Sequence, residues 1–198
     1  MLKITEIKSH PYFYYIPTLS LFMTCENNEF GGSVVNISTN AGYVTCFPLV
    51  PSSNMTIGSV GFKFREDNSA LTIIGGLYDS DPAEEHPADL LAQTNPTNPT
   101  SVVDEYQNFN LTSSASVTAS ETVWVAIFCQ DNDVPMYSQR NTGYDDYQQM
   151  AHTGTTLPST FTSSYEAVYR GESQICTGGP SPTTSGTRLP PPPLVAYF

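Results

Sequence analysis

The side chains best equipped for chemistry fall into three groups. Asp79, Asp81, Glu84 and Glu85, with His86 beside them, form the densest run of carboxylates in the chain. Oxygen ligands gathered in a turn suit a hard cation such as Ca²⁺, so Asp79 and Asp81 are candidate metal ligands. Asp131 and Asp133, flanking Asn132, have the same claim. Neither stretch has the spacing of an EF-hand loop, and acidic loops are usually just solvated. No metal is therefore assigned, and no cofactor is expected. Paired carboxylates can also hydrolyse glycosides, but on a sandwich such acids project from strands into a groove, whereas here Asp and Glu gather at turns. His10, His86 and His152 are scattered, in neither a Gly-x-Ser-x-Gly nor a His-Glu-x-x-His context. These features point away from an enzyme. The third group is Tyr137, Arg140, Tyr144 and Tyr147, set among Gln139, Asn141, Gln148 and Gln149. Aromatic faces with hydroxyl, amide and guanidinium groups suit a glycan. Tyr and Arg are equally enriched at protein interfaces, and a loop can also pack its own tyrosines. All three readings stand for this group.

The element that must position these groups is the run from Glu121 to Cys129. Val123, Val125 and Ile127 alternate with Trp124, Ala126 and Phe128, so both faces of an extended chain are apolar. Such a strand belongs inside a packed sheet, covered on both sides, and the polar Gln130-Asp131-Asn132-Asp133 ends it. The rest of the composition agrees. Charged residues make up 13% of the 198, well below the usual quarter, and Ser, Thr, Asn and Pro favour strands and turns over helices. A net charge of −12 with seven Lys and Arg argues against nucleic acid as a partner. No apolar run approaches membrane-spanning length, so no membrane insertion is expected. Glu6, His10 and Pro11 interrupt any signal-peptide core before Thr24. The four cysteines, Cys25, Cys46, Cys129 and Cys176, form no CxxC pair and are expected as free thiols.

Short strands recur at spacings of roughly ten residues, which predicts an all-β, antiparallel sandwich. The expected strands cover 33–38, 42–49, 55–65, 70–78, 89–94, 102–111, 121–129, 134–140 and 165–170, with a long polar, tyrosine-rich region over 141–164. Three parts follow: an extended N-terminal arm over 1–28, a sandwich over 29–176, and a Pro-rich segment over 177–198 that ends in a docking edge strand, Leu194 to Phe198. In the arm, Tyr12, Phe13, Tyr14, Tyr15 and Ile16 lie between Pro11 and Pro17. They are too few to form a core, so they must bury against the domain or a neighbouring subunit. They are the candidate interface.

Five segments, taken in order, resemble a known family. They are YVTCFPLVPSSNMTIGSVGFKF (Tyr43 to Phe64), GLYDSD (Gly76 to Asp81), DLLAQT (Asp89 to Thr94), VTASETVWVAIFCQD (Val117 to Asp131) and the closing PPLVAYF. The set resembles the jelly-roll modules of tailed-phage virion proteins, namely decoration, head-fibre and tail-fibre proteins. The resemblance spans about residues 30–198. It implies a jelly-roll-like β-sandwich with the VWVA strand in its core, location in the virion, and a non-enzymatic structural role. The implied partners are other virion proteins and further copies of the chain in a homo-oligomer. A tip module that binds a host surface glycan or receptor is the alternative implied function, and a polysaccharide hydrolase a weaker one. Residues 1–28 have no counterpart in the resemblance.

Overall fold

The computed structural model of the chain describes residues 23–27, 34–81, 83, 86–140, 147–162, 165–167 and 169–177. Every regular element among them is a strand: β1 (Cys25–Asn27), β2 (Val34–Thr39), β3 (Tyr43–Leu49), β4 (Met55–Lys63), β5 (Ile74–Asp81), β6 (His86–Gln93), β7 (Tyr106–Val117), β8 (Val123–Cys129), β9 (Val134–Arg140), β10 (Tyr147–Ala151), β11 (Tyr165–Ala167), β12 (Tyr169–Gly171) and β13 (Ser173–Thr177). A six-stranded sheet runs β11-β10-β3-β8-β5-β6, and a four-stranded sheet runs β1-β13-β4-β7. The two are antiparallel and pack against each other as a β-sandwich. A smaller sheet, β12-β9-β2, adjoins the second of them.

β8 lies inside the six-stranded sheet, between β3 and β5, and all seven of its residues are buried. Its two apolar faces enter different clusters. Val123, Val125, Ile127 and Cys129 meet Ile57, Val60, Phe62, Phe109 and Ile175 of the opposing sheet in the inter-sheet core. Trp124, Ala126 and Phe128 face outward with Val44, Ile74, Tyr78 and the Met150 of β10 in the same sheet, and this face is covered by Leu157 and Phe161. The cover comes from within the region that reads as a polar insertion. Its backbone is tied to the sheet at both β6 and β5: Leu90 N donates to Ser159 O and Phe161 N to Ala88 O (both 2.8 Å), while the Tyr78 hydroxyl donates to Pro158 O at 2.8 Å. The Tyr78 and Phe161 rings meet edge to face at 5.7 Å.

The expected strands at 33–38, 42–49, 55–65 and 134–140 are present within a residue or two, and the turn before Tyr43 closes on Gly42, whose φ of 73° suits glycine. Gly75 and Gly76 mark a close approach. A Cβ on Gly76 would lie 2.2 Å from Leu157 Cδ1, so a side chain there would displace Leu157 from its seat on the sheet. Within β4 the register slips between Ile57 and Ser59. The slip re-phases the alternation, so Met55 and Ile57 enter the core before it, and Val60, Phe62 and Phe64 after it.

Several expectations are corrected. The strand expected over 102–111 is β7, displaced to Tyr106–Val117, and Val102 and Val103 are exposed in the preceding loop. Gln107 holds that loop with its side chain, accepting from Thr100 N and donating to Val102 O. The Thr112–Ser116 half of β7 is polar because most of it faces solvent, and it carries little apolar signal. The 141–164 region contains β10, paired between β3 and β11. The cysteines are not all free. Cys25 and Cys176 sit directly opposite in the β1–β13 pair and form a disulfide, while Cys46 and Cys129 remain buried thiols. Burial pushes the Cys46 thiol well up from its ordinary value, so it is inert. Residues 25–27, read as part of the arm, are therefore a strand of the sandwich.

Because Phe161 is the outermost lid of β8, Phe161→Ala should cost roughly 3–5 kcal/mol in urea unfolding. A loss below about 1 kcal/mol would mean that the outer face of β8 does not depend on this cover.

Candidate functional site

The most concentrated set of interacting ionisable side chains lies where the sheets join. The chain from Tyr169 to Thr177 changes partner at Glu172, with β12 pairing to β9 and β13 to β4. Glu172 bridges the change through its backbone, donating to Tyr137 O at 2.8 Å and accepting from Lys63 N at 3.2 Å. Its carboxylate is buried, and the Lys63 ammonium lies 3.1 Å from Oε2. That contact lacks hydrogen-bond geometry at Oε2, so the attraction is chiefly Coulombic. The same ammonium stands 5.4 Å from the centre of the Tyr137 ring and 5.9 Å from that of Tyr106, within cation–π range.

Tyr137 is fixed from its other end, where its hydroxyl donates to Asp104 Oδ1. Asp104 has a φ of 65°, a left-handed conformation that Asp tolerates better than most residues, and its N–H donates to Phe64 O at 3.0 Å. The phenol is pushed above its ordinary value of 10.0, first by that hydrogen bond to Asp104, then by burial and the charges of Asp104 and Glu172, with Arg65 opposing. The group contains a cation, two carboxylates and two phenols. Lys63 is committed to Glu172 and the rings, and Tyr137 to Asp104. It acts as a clamp between β4, β9 and the β12–β13 strand.

No protein-family model matches the chain, and no curated protein matches it. The site must therefore be read from its own chemistry.

The structure distributes the sequence candidates as follows. Tyr137 belongs to the clamp. Arg140 ends β9 and pairs with Tyr169, and Tyr147 begins β10 and pairs with Ala167, so their backbones lie in different sheets. Tyr144 and the arm residues Tyr12, Phe13, Tyr14, Tyr15 and Ile16 lie outside the described residues. Of the acidic candidates, Asp79 Oδ1 accepts from Asp89 N at 2.6 Å, Asp81 Oδ1 from Ala83 N at 2.7 Å, and Asp133 Oδ1 from Ala41 N at 2.8 Å. Asp81 caps its turn and Asp133 ties one turn to another, while Asp79 bridges β5 to β6 where their register shifts. Among the described residues no three His, Cys, Asp or Glu side chains converge on a metal-sized site. His86 and His152 are each held to a backbone carbonyl, of Pro87 and Thr156 respectively. Lys63, Asp104, Tyr106 and Glu172 are absent from the sequence candidates. The available signal was a lysine within a strand of otherwise uncharged residues, in a chain with few cations.

Removing one member of a buried pair strands the other. Lys63→Ala should cost about 3 kcal/mol in urea unfolding, at the low end for a buried pair because Lys63 is partly exposed. Replacing Lys63 and Glu172 together by Met should restore most of that loss. If Lys63→Ala and Glu172→Ala each cost little and their losses add in the double Ala variant, the pair does not hold the junction.

Proposed function

We propose that the chain is a non-enzymatic structural module of a phage virion, a jelly-roll-like sandwich that joins neighbouring subunits through the segments flanking one edge. The observation that carries this reading is where the described chain enters and leaves that edge. Thr177 N donates to Thr24 O at 2.9 Å, and Thr24 N to Thr177 Oγ1 at 3.0 Å. One residue further in, the Cys25–Cys176 disulfide closes the edge. Segments 1–22 and 178–198 are thus attached side by side at the end of a cross-linked pair of strands. One carries the Pro-flanked run Tyr12 to Ile16, and the other the Pro-Pro-Pro-Pro run and Leu194 to Phe198.

A short edge strand that had to resist a pull from attached subunits would need such reinforcement. Closing a loop of this length is worth roughly 2–5 kcal/mol. Glu26 adds a polar tie. Partial burial opposes its ionisation, but hydrogen bonds from Ser52 N, Ser52 Oγ and Ser53 Oγ hold its carboxyl below the ordinary 4.5. A disulfide also suits a protein at a virion surface, where surroundings are oxidising. The attachment mechanism is burial: an aromatic segment too small for its own core gains stability by covering apolar area on a partner. A proline run is already extended, so laying it along a neighbour costs little ordering entropy.

Deleting residues 1–22 keeps Cys25 and β1. The shortened chain should unfold cooperatively, retain the Cys25–Cys176 cross-link by non-reducing peptide mapping, and fail to enter particles. Incorporation of the folded, shortened chain at the level of the full chain would overturn the proposal.

A further inference from the structure

A cavity of about 230 Å³ opens at the end of β8. Its apolar lining includes the exposed Ala70 and Pro96 over the almost fully buried Ile74 and Phe128, and its polar lining the consecutive residues Gln130, Asp131 and Asn132. Thr72 and Thr155 add hydroxyls. Phe128 is braced by the His152 ring at 5.1 Å, and His152 in turn by Thr156 O at 2.7 Å, so the floor is fixed by the segment that covers β8.

The chemistry of this lining differs from that of the other acidic candidates. Asp79, Asp81 and Asp133 spend a carboxylate oxygen on a backbone amide. The side chains of Gln130, Asp131, Asn132 and Thr155 enter no hydrogen bond or ion pair with the described residues. A carboxylate, two amides and the Thr155 hydroxyl therefore border the cavity with their donors and acceptors unspent by the described residues, while the Thr72 hydroxyl already accepts from Asn98 Nδ2 at 3.4 Å. A pyranose ring matches that division, having apolar C–H faces and a rim of hydroxyls that both donate and accept. The volume falls below the usual range for drug-sized ligands and suits one ring rather than a chain. Asp131 is the lone ionisable side chain at the cavity, since the Cys129 thiol is turned into the inter-sheet core. An acidic sugar would meet repulsion there, and an amino sugar attraction.

We propose that this cavity binds a single neutral or amino-bearing pyranose, with Asp131 accepting two of its hydroxyl or ammonium protons and Asn132 and Gln130 completing the rim. The site lies on the main sandwich and does not depend on the role assigned to the terminal segments.

The test is amide-resolved NMR of the full chain titrated with glucose, galactose, mannose, their N-acetylamino forms, glucosamine and glucuronate. At least one neutral or amino sugar should shift the amides of residues 129–132 and 154–155 saturably, and glucuronate should bind more weakly than glucose. Asp131→Ala and Asn132→Ala change exposed turn residues, and unchanged thermal unfolding would show that each variant is folded. Each should weaken binding about tenfold, the loss expected for hydrogen bonds to a charged or amide group. The proposal fails if no panel sugar shifts these amides at the highest concentrations the sample tolerates. It also fails if shifts map elsewhere, or if Asp131→Ala binds as the parent does.

Discussion

A strand with two apolar faces must be covered twice, and most of this structure follows from that constraint on β8. The inner cover is the opposing sheet, which meets Val125 and Ile127 through Phe62, Phe109 and Ile175. The outer cover is the crossing that carries Leu157 and Phe161 over Trp124 and Phe128. Large aromatic side chains contribute most per residue when water is removed from them. An uncovered outer face would expose them as one contiguous patch. The crossing also brings Gly154 and Thr155 beside the end of β8, so the same segment that shields the strand walls the cavity around Asp131.

The second cross-brace is at the sheet junction. A strand that changes partner must satisfy backbone groups on both neighbours, and Glu172 does this with its own N–H and carbonyl. Its side chain would be costly to bury alone, and Lys63 offsets the charge while its position over Tyr106 and Tyr137 ties two further strands to it. The disulfide edge lies at the other end of β13. One continuous stretch, Glu172 to Thr177, thus carries the ionic clamp at its start and the covalent clamp near its end. The proposed attachment segments depart from beside the covalent one.

The all-β class and the central strand were legible because alternation and turn residues report directly on strands. Val60, Phe62 and Phe64 are the clearest case, and Val123 to Cys129 the most informative. What was not legible has a physical reason in each case. β13, with the sequence Ser-Gln-Ile-Cys-Thr, is short and largely polar yet buried, because it is held by neighbours on both sides rather than by its own pattern. Leu157 and Phe161 show no strand-like spacing because they come from a crossing segment, which has no period, while Met150 belongs to the short strand β10. The disulfide joins residues 151 apart in sequence, and only the pairing of β1 with β13 brings them opposite. Ionic partners such as Lys63 and Glu172 are likewise set by topology. Among the acidic residues, Asp131 could not be told from Asp79, Asp81 and Asp133 until the backbone amides that occupy the other three were in place.

Hydrogen exchange on the free chain and on the chain in its assembly would test most directly the account of a rigid, doubly covered sandwich joined to its neighbours beside a clamped edge. The account predicts that the amides of β8 exchange slowest in both states, and that assembly adds protection mainly to the segments flanking Thr24 and Thr177. Fast exchange in β8, or new protection confined to the opposite loops with the flanking segments unchanged, would contradict it.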